Sequence, residues 1–262
     1  MIFTKTRKLI NFTLLSTLGW LAYILIYCES GNQARGEEEW LPDRPDVAES
    51  AFVVPTGRFQ IEIGITAGKK RGEESSVITP FLFRYGFYKD FELRIGGPGL
   101  IQEEEANLGD IDLGLKYHLF DESAWIPAIG LLPQVTLPIA SGNAGTDSID
   151  PRFFLTFDKD LPLDFAIEWN IGAGYIDKPE DSGRFFQLLY AVSLGRSIVK
   201  PILIFAEVYG VSKVEPGIVG SINTDFGILF RLSENIIIDL GGDFGITNAE
   251  QQNAFIGLSF RF

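Results

Sequence analysis

The chain has 262 residues, 22 basic against 35 acidic, a formal net charge of −13, a single Cys, a single His and 22 Phe. So acidic a chain lacks the cationic footprint that nucleic-acid binding needs to displace counterions. Lone Cys28 and lone His118 exclude an internal disulfide and any multi-Cys or His-rich metal site, no motif asks for a cofactor, and the length suits one large β domain or two small ones.

Residues 1–36 read "MIFTKTRKLINFTLLSTLGWLAYILIYCESGNQARG". Lys5, Arg7 and Lys8 form a basic start, Leu9 to Tyr27 is mostly apolar, and Ala34 and Gly36 set small residues where a signal peptidase reads. This predicts a secretory signal peptide over 1–36. Two alternatives stand beside it: a retained anchor, because the apolar run approaches the ~20 residues that cross a bilayer, and a lipoprotein signal at Cys28, weakened by bulky Tyr27. Cleavage removes four basic residues and one acid, taking the charge from −13 to −16.

Residues 37–55 follow as "EEEWLPDRPDVAESAFVVP". Pro42, Pro45 and Pro55 favour an extended chain, and Trp40 is a candidate anchor. The stretch reads as an extended periplasmic N-terminal segment, with entry into the barrel as a partial plug left open.

From residue 56 to 262 the pattern is period-two alternation, the signature of strands with one apolar face. In "GRFQIEIGIT" Phe59, Ile61, Ile63 and Ile65 share a face opposite Gln60, Glu62, Gly64 and Thr66. "DIDLGLKYHL", "LDFAIEWNIGAGY", "TDFGILF" and "IIIDLGGDFG" repeat it, with Gly and acids on the polar side. Last comes "AFIGLSFRF", with Ala254, Ile256, Leu258, Phe260 and Phe262 on one side. About twelve such segments near the ~9–11 residues of a tilted membrane strand are predicted, starting near Thr56, Val77, Phe91, Gly109, Trp125, Asp150, Leu163, Arg184, Pro201, Ile222, Ile236 and Asn253. Short turns near 88–90, 121–123, 159–162, 195–200 and 233–235 alternate with longer polar connections, the arrangement of an outer-membrane barrel with both termini on the periplasmic side.

The fold expected is all-β: a closed antiparallel transmembrane β-barrel of about 12 strands in an up-and-down meander. A soluble barrel would be apolar inside. Three features favour lipid outside. The polar faces are small and charged, as a wet lumen requires. Aromatics such as Tyr117, Trp125, Phe153, Phe157, Tyr175 and Phe260 sit near strand ends, as in interfacial girdles. An export signal and a strand ending on Phe262 occur together, and closure removes the edge that hydrocarbon does not tolerate. Localisation in the outer membrane of a Gram-negative-type bacterium follows, with lipid and lipopolysaccharide as surroundings.

From Asp43 to Phe262 the chain resembles a family of outer-membrane proteins linked to the phenol meta-degradation pathway, often called transporter-like. The residues that carry the likeness are "DRPDVAES" (43–50), "VPTGRFQIE" (54–62), "FRYGFYKDFELRIGG" (83–97), "GDIDLGLKYHLF" (109–120), "VTLPIASG" (135–142) and "FAEVYG" (205–210). The resemblance implies an exported β-barrel and transport of small, aromatic compounds among them; it brings no catalytic residues. Terminal Phe262 likewise resembles the signal that barrel-insertion machinery reads.

Candidate lumen-lining acids are Glu62, Glu92, Asp110, Asp112, Asp164, Glu168, Glu207, Asp225, Asp239 and Asp243, with bases Arg84, Arg94, Lys116, Arg231 and Arg261. Two readings compete. The charges set ion preference in an open pore, or they pair across strands, Arg94 with Asp110 or Asp112 for example, and seal a narrow barrel. His118 near the "DES" turn is read as a rim or turn-capping residue and not as a catalytic one, so no enzyme is predicted. Glu103, Glu104 and Glu105 read as a solvated loop, and "GGPG" at 96–99 lacks the Lys-Ser/Thr of a phosphate loop. The function expected is a channel or transporter passing small solutes by passive diffusion through a charged lumen. The alternative is a structural or adhesion barrel with a salt-bridged interior and working loops.

Overall fold

The computed structural model describes residues 40–262 apart from 71–74, 143, 147, 178–182, 214–216, 218 and 250. The predicted leader, Cys28 included, lies outside these residues.

Fifteen strands are present among the described residues: β1 Phe59–Lys70, β2 Ser75–Ile78, β3 Phe81–Tyr88, β4 Phe91–Gly97, β5 Leu100–Gln102, β6 Ala106–Leu108, β7 Ile111–Phe120, β8 Ala128–Leu137, β9 Asp150–Leu161, β10 Phe165–Asp177, β11 Arg184–Val199, β12 Ile202–Val211, β13 Ile222–Ser233, β14 Ile236–Thr247 and β15 Gln251–Arg261. Twelve of them pair in sequence order as an antiparallel ring, and β15 closes on β1 from Gln60↔Arg261 to Lys70↔Gln251. Phe262 completes the seam: its N–H donates to Phe59 O at 2.9 Å, and Phe59 N–H donates to Phe262 O at 3.3 Å. The fold is a closed 12-stranded antiparallel meander barrel.

β2, β5 and β6 stand apart from the ring. Pro80 and Thr79 interrupt what the sequence reads as one strand near Val77, so that β1 pairs with β3 over one half and β2 over the other. β2 then pairs with β5, and β5 with β6. The connection 98–108, expected as plain loop, thus builds a short hairpin on the outer rim. Two other boundaries shift. Trp125 lies in the turn before β8, 70% exposed. Leu163 and Asp164 lie in the turn before β10, with φ of 66° and 62°.

The faces settle which side meets lipid. On β1, Gln60 and Glu62 are fully buried while Ile63 and Ile65 are 44% and 52% exposed. The same inversion holds on β4, β7, β10, β11, β13 and β15, where Leu93, Leu113, Ile171, Val192, Ile228 and Ile256 face outward into the open. A continuous apolar belt around a charged interior is the surface of a membrane-spanning barrel. Stacked outward rings, Phe59–Tyr85 and Phe91–Tyr117 at 4.3 Å and Phe157–Trp169 at 5.0 Å between centroids, lie toward the end with the short turns. That is where an interfacial girdle belongs.

Candidate functional site: the lumen and its strap

Residues 40–55 run inside the barrel, the plug position that the sequence left open. We call this segment the strap. Its backbone has no neighbouring strand, so its amides need other acceptors in a buried setting. The inward carboxylates and amides of the ring supply them. Glu62 accepts from Asp43 N at 3.3 Å and Arg44 N at 2.9 Å. Glu207 accepts from Val47 N and Ala48 N, both at 2.7 Å. Asn170 accepts from Glu49 N at 2.6 Å and donates back to Glu49 O at 2.8 Å. Asp158 accepts from Ala51 N at 2.5 Å and Glu92 from Val54 N at 2.7 Å. Pro42 and Pro45 have no N–H to satisfy, which suits the gaps between these contacts.

The strap also closes a buried charge network. Asp43 meets Arg84 at 2.9 Å, Lys116 at 2.7 Å and Arg94. Arg84 reaches Glu92 at 2.8 Å and Glu62 at 3.2 Å; Arg94 reaches Glu92 at 3.0 Å and Glu49 at 2.5 Å. All three basic side chains are no more than 4% exposed. The bases on β3, β4 and β7 are therefore covered and neutralised. Arg94 does not meet Asp110 or Asp112 as expected: its ladder neighbour on β7 is Gly114, and the strap takes its charge.

At the end with the short turns, Trp40 anchors the strap. Its Nε1–H donates to Glu234 O at 2.7 Å, and its ring lies under Arg261 at 4.6 Å and Arg231 at 5.8 Å. Arg44 crosses the closing seam and meets Asp239 at 3.2 Å. His118 contacts Ala51 O at 3.0 Å and Asp121 at 2.9 Å and stacks on Phe52. Among the described residues it faces no serine hydroxyl, so no nucleophile–base pair forms.

The other expected lumen residues divide. Asp112 lies farther out, accepting from Thr136 Oγ1 at 2.5 Å, with Arg152 at 3.7 Å. Two corrections apply. Asp164 is an exposed turn residue, because the turn takes the position the alternation gives to a strand. Asp110 precedes β7 and ties the outer loop: it accepts from Ile139 N, Ala140 N, Thr146 N and Thr146 Oγ1 between 2.6 and 3.0 Å. Burial alone would raise its pKa, but these hydrogen bonds outweigh that and hold it below the usual carboxylate range.

Across the lumen from the bases runs an acidic row. Ladder neighbours link Asp158 to Glu168, Glu168 to Ser193, Ser193 to Glu207, Glu207 to Asp225 and Asp225 to Asp243, from β9 to β14. Directly opposed like charges destabilise a sheet. Among the described residues, no Lys or Arg pairs with Glu207, Asp225 or Asp243; their partners are strap amides, Tyr209, Gln251, Asn253 and one another.

Between strap and wall lies a small cleft, partly open to solvent. Leu41, Leu203, Phe205 and Leu229 give it apolar walls, while Arg44, Asp46, Glu168 and Ser193 supply its polar groups. Sequence reasoning missed the strap's Asp43, Arg44, Asp46 and Glu49 as lumen groups, and missed Asp158 and Asn170. The available signal was the inward excess of acid over base, which called for partners beyond the strands themselves.

The sequence profile of the family described as "Putative MetA-pathway of phenol degradation" matches residues 42–262. Among solved structures, an outer membrane channel from Pseudomonas putida F1 superposes with a TM-score of 0.62 at 12% identity, covering 86% of this chain and 100% of that one. The NanC porin gives 0.56 at 10% identity over 76% and 98%, and the KdgM porin 0.51 at 12% identity over 77% and 99%. At these identities the likeness is one of fold. No curated protein matches the chain.

Proposed function

We propose that this chain, which belongs to the family so described, is an outer-membrane channel that passes small solutes by passive diffusion, narrowed by its own N-terminal strap. One observation carries the reading: the strap fills one side of the lumen and leaves a solvent-connected cleft against β10–β13. A ring of twelve strands encloses more than side chains alone fill, and the strap narrows that bore. Diffusion along a concentration gradient through it needs no cofactor. The leader over 1–36 would deliver the chain to the outer membrane of a Gram-negative-type cell, and Phe262 would present the insertion machinery with its signal. Lipid and lipopolysaccharide would surround the belt.

A second reading has its own support. The ion network of Asp43, Arg84, Arg94 and Lys116 is as closed as a structural barrel requires. Liposome swelling separates the two. The channel reading expects swelling with small solutes and a steep size cut-off. Proteoliposomes with folded, heat-modifiable barrel that stay silent toward every small solute would leave only the structural reading.

A further inference from the structure

Four features of the acidic wall point to one kind of occupant. First, Glu207, Asp225 and Asp243 stand in one ladder row with no basic partner among the described residues. Second, Asp225 is 2% exposed, yet its Oδ1 has no hydrogen-bond partner. Third, and independent of any acid, Asn223 occupies the next inward position on β13. It is 6% exposed, and its Oδ1 also lacks a donor. Buried acceptors without donors are costly and call for an explanation. Fourth, the cleft meets this row at Glu168 and Ser193 and runs toward the short turns, where Phe205 and Leu203 take the inward positions after Glu207 on β12 and Leu229 lies beyond Asp225 on β13. Arg44, which also lines it, is held by Asp239.

We propose that this wall is a binding site for small amphiphilic cations: a primary ammonium head against Asp225, Asn223 and Asp243, with a compact apolar body in the cleft. The proposal names the permeant class of the channel and so rests on that reading. The chemistry matches the deficit. An ammonium brings three donors and one positive charge, to a place with surplus acceptors and surplus negative charge. The spacing matches too. Inward positions two residues apart lie about 6.6–6.8 Å along a strand, so a head at Asp225 sets a three- or four-carbon body beside Phe205. Phe205 adds a ring face that tolerates a cation. The opposite wall offers nothing comparable to an anion, because Arg84, Arg94 and Lys116 are already covered by the strap's Asp43 and Glu49.

The test uses the full-length barrel and three probes of matched size: butylammonium, butanol and butyrate. Calorimetry in detergent reads binding, and reversal potentials in planar bilayers read permeation. Butylammonium should bind and permeate in preference to butyrate, and butanol should bind more weakly. Asp225→Asn with Asp243→Asn should weaken butylammonium binding at least about tenfold, the scale of close charge pairs. Neither residue holds the strap, so the variants separate the site from strap release. Each single variant serves if the double one does not fold, and Glu104→Gln in the outer hairpin should change nothing. A conducting barrel that treats the three probes alike, or whose variants keep full butylammonium binding, overturns the site while the channel stands. A silent barrel that still binds butylammonium upholds the site and overturns the channel.

Discussion

Asp43→Asn tests the strap most directly. The substitution keeps the shape and removes one charge at the point where Arg84, Arg94 and Lys116 converge. A contact near 2.8 Å carries roughly 6 kcal/mol of gross Coulomb attraction at an effective dielectric of about 20. Three such contacts are offset by desolvation and by repulsion from Glu49, Glu62 and Glu92. The net loss on breaking a buried pair is about 3–5 kcal/mol, or two to three and a half powers of ten in an equilibrium. Ring strands do not depend on Asp43 for their ladders, so the loss falls on docking of the strap. The expected result is a closed, heat-modifiable barrel with raised single-channel conductance and new protease cleavage within 40–55. Lys89→Gln breaks an exposed pair, Lys89–Asp90 at 3.9 Å, and should leave both readouts unchanged. Wild-type conductance and wild-type protease resistance in Asp43→Asn would refute the strap as the constriction.

Other predictions follow from the same geometry. A Cβ at Gly195 meets nothing closer than Leu203 Cδ2 at 3.8 Å, so Gly195→Leu should project into the cleft and cut solute flux severely while leaving the unfolding temperature nearly unchanged. Asp110→Asn should loosen the outer loop by about 1–3 kcal/mol, since a buried set of amides loses its charged acceptor; limited proteolysis from the outside of proteoliposomes reads it. Because the folded pKa of Asp110 is depressed, its contribution is present above the unfolded value near 4 and is lost as pH falls below it. Wild-type loops should therefore become protease-sensitive only at pH below about 4. At Gly257 an added Cβ would lie 2.7 Å from the Arg44 guanidinium and 2.4 Å from Asp239 Oδ2, so Gly257→Ala should part that ion pair and raise conductance without opening the seam.

The fold was legible because alternation is local. A period-two pattern over ten residues specifies a face, and "YKD" or "SEN" specifies a turn, without knowledge of any distant residue. Where the chemistry of a single residue overrode the pattern, the reading slipped. Pro80 broke the strand near Val77, and Leu163 and Asp164 took positive φ in a turn where alternation continued through them. The site was half legible. The inward charges could be named from period alone, but their partners could not. Arg94 and Asp112 sit on adjacent strands and look paired from sequence. The group that wins Arg94 is Asp43, some fifty residues earlier, on a segment with no periodicity to betray where it lies.

That segment explains why the barrel keeps so many inward acids. An extended chain in a lumen exposes amides at every non-proline position, and a carboxylate satisfies two of them at once, as Glu62 and Glu207 do. Acids chosen to hold amides arrive with charge that must then be balanced, and the strap carries Arg44 while the wall carries Arg84, Arg94 and Lys116. Balance is reached on one side only. Gly64 and Gly257 face each other across the closing seam and make the room in which Arg44 lies against β1, β14 and β15. Strap and closure are in this way one construction: Arg44 lies against both strands of the closing seam and pairs with Asp239 on β14. The charge left over faces the cleft, because Arg44, the strap cation that lines it, is held by Asp239, and the strap's other groups near β10–β13 are Asp46 and backbone amides.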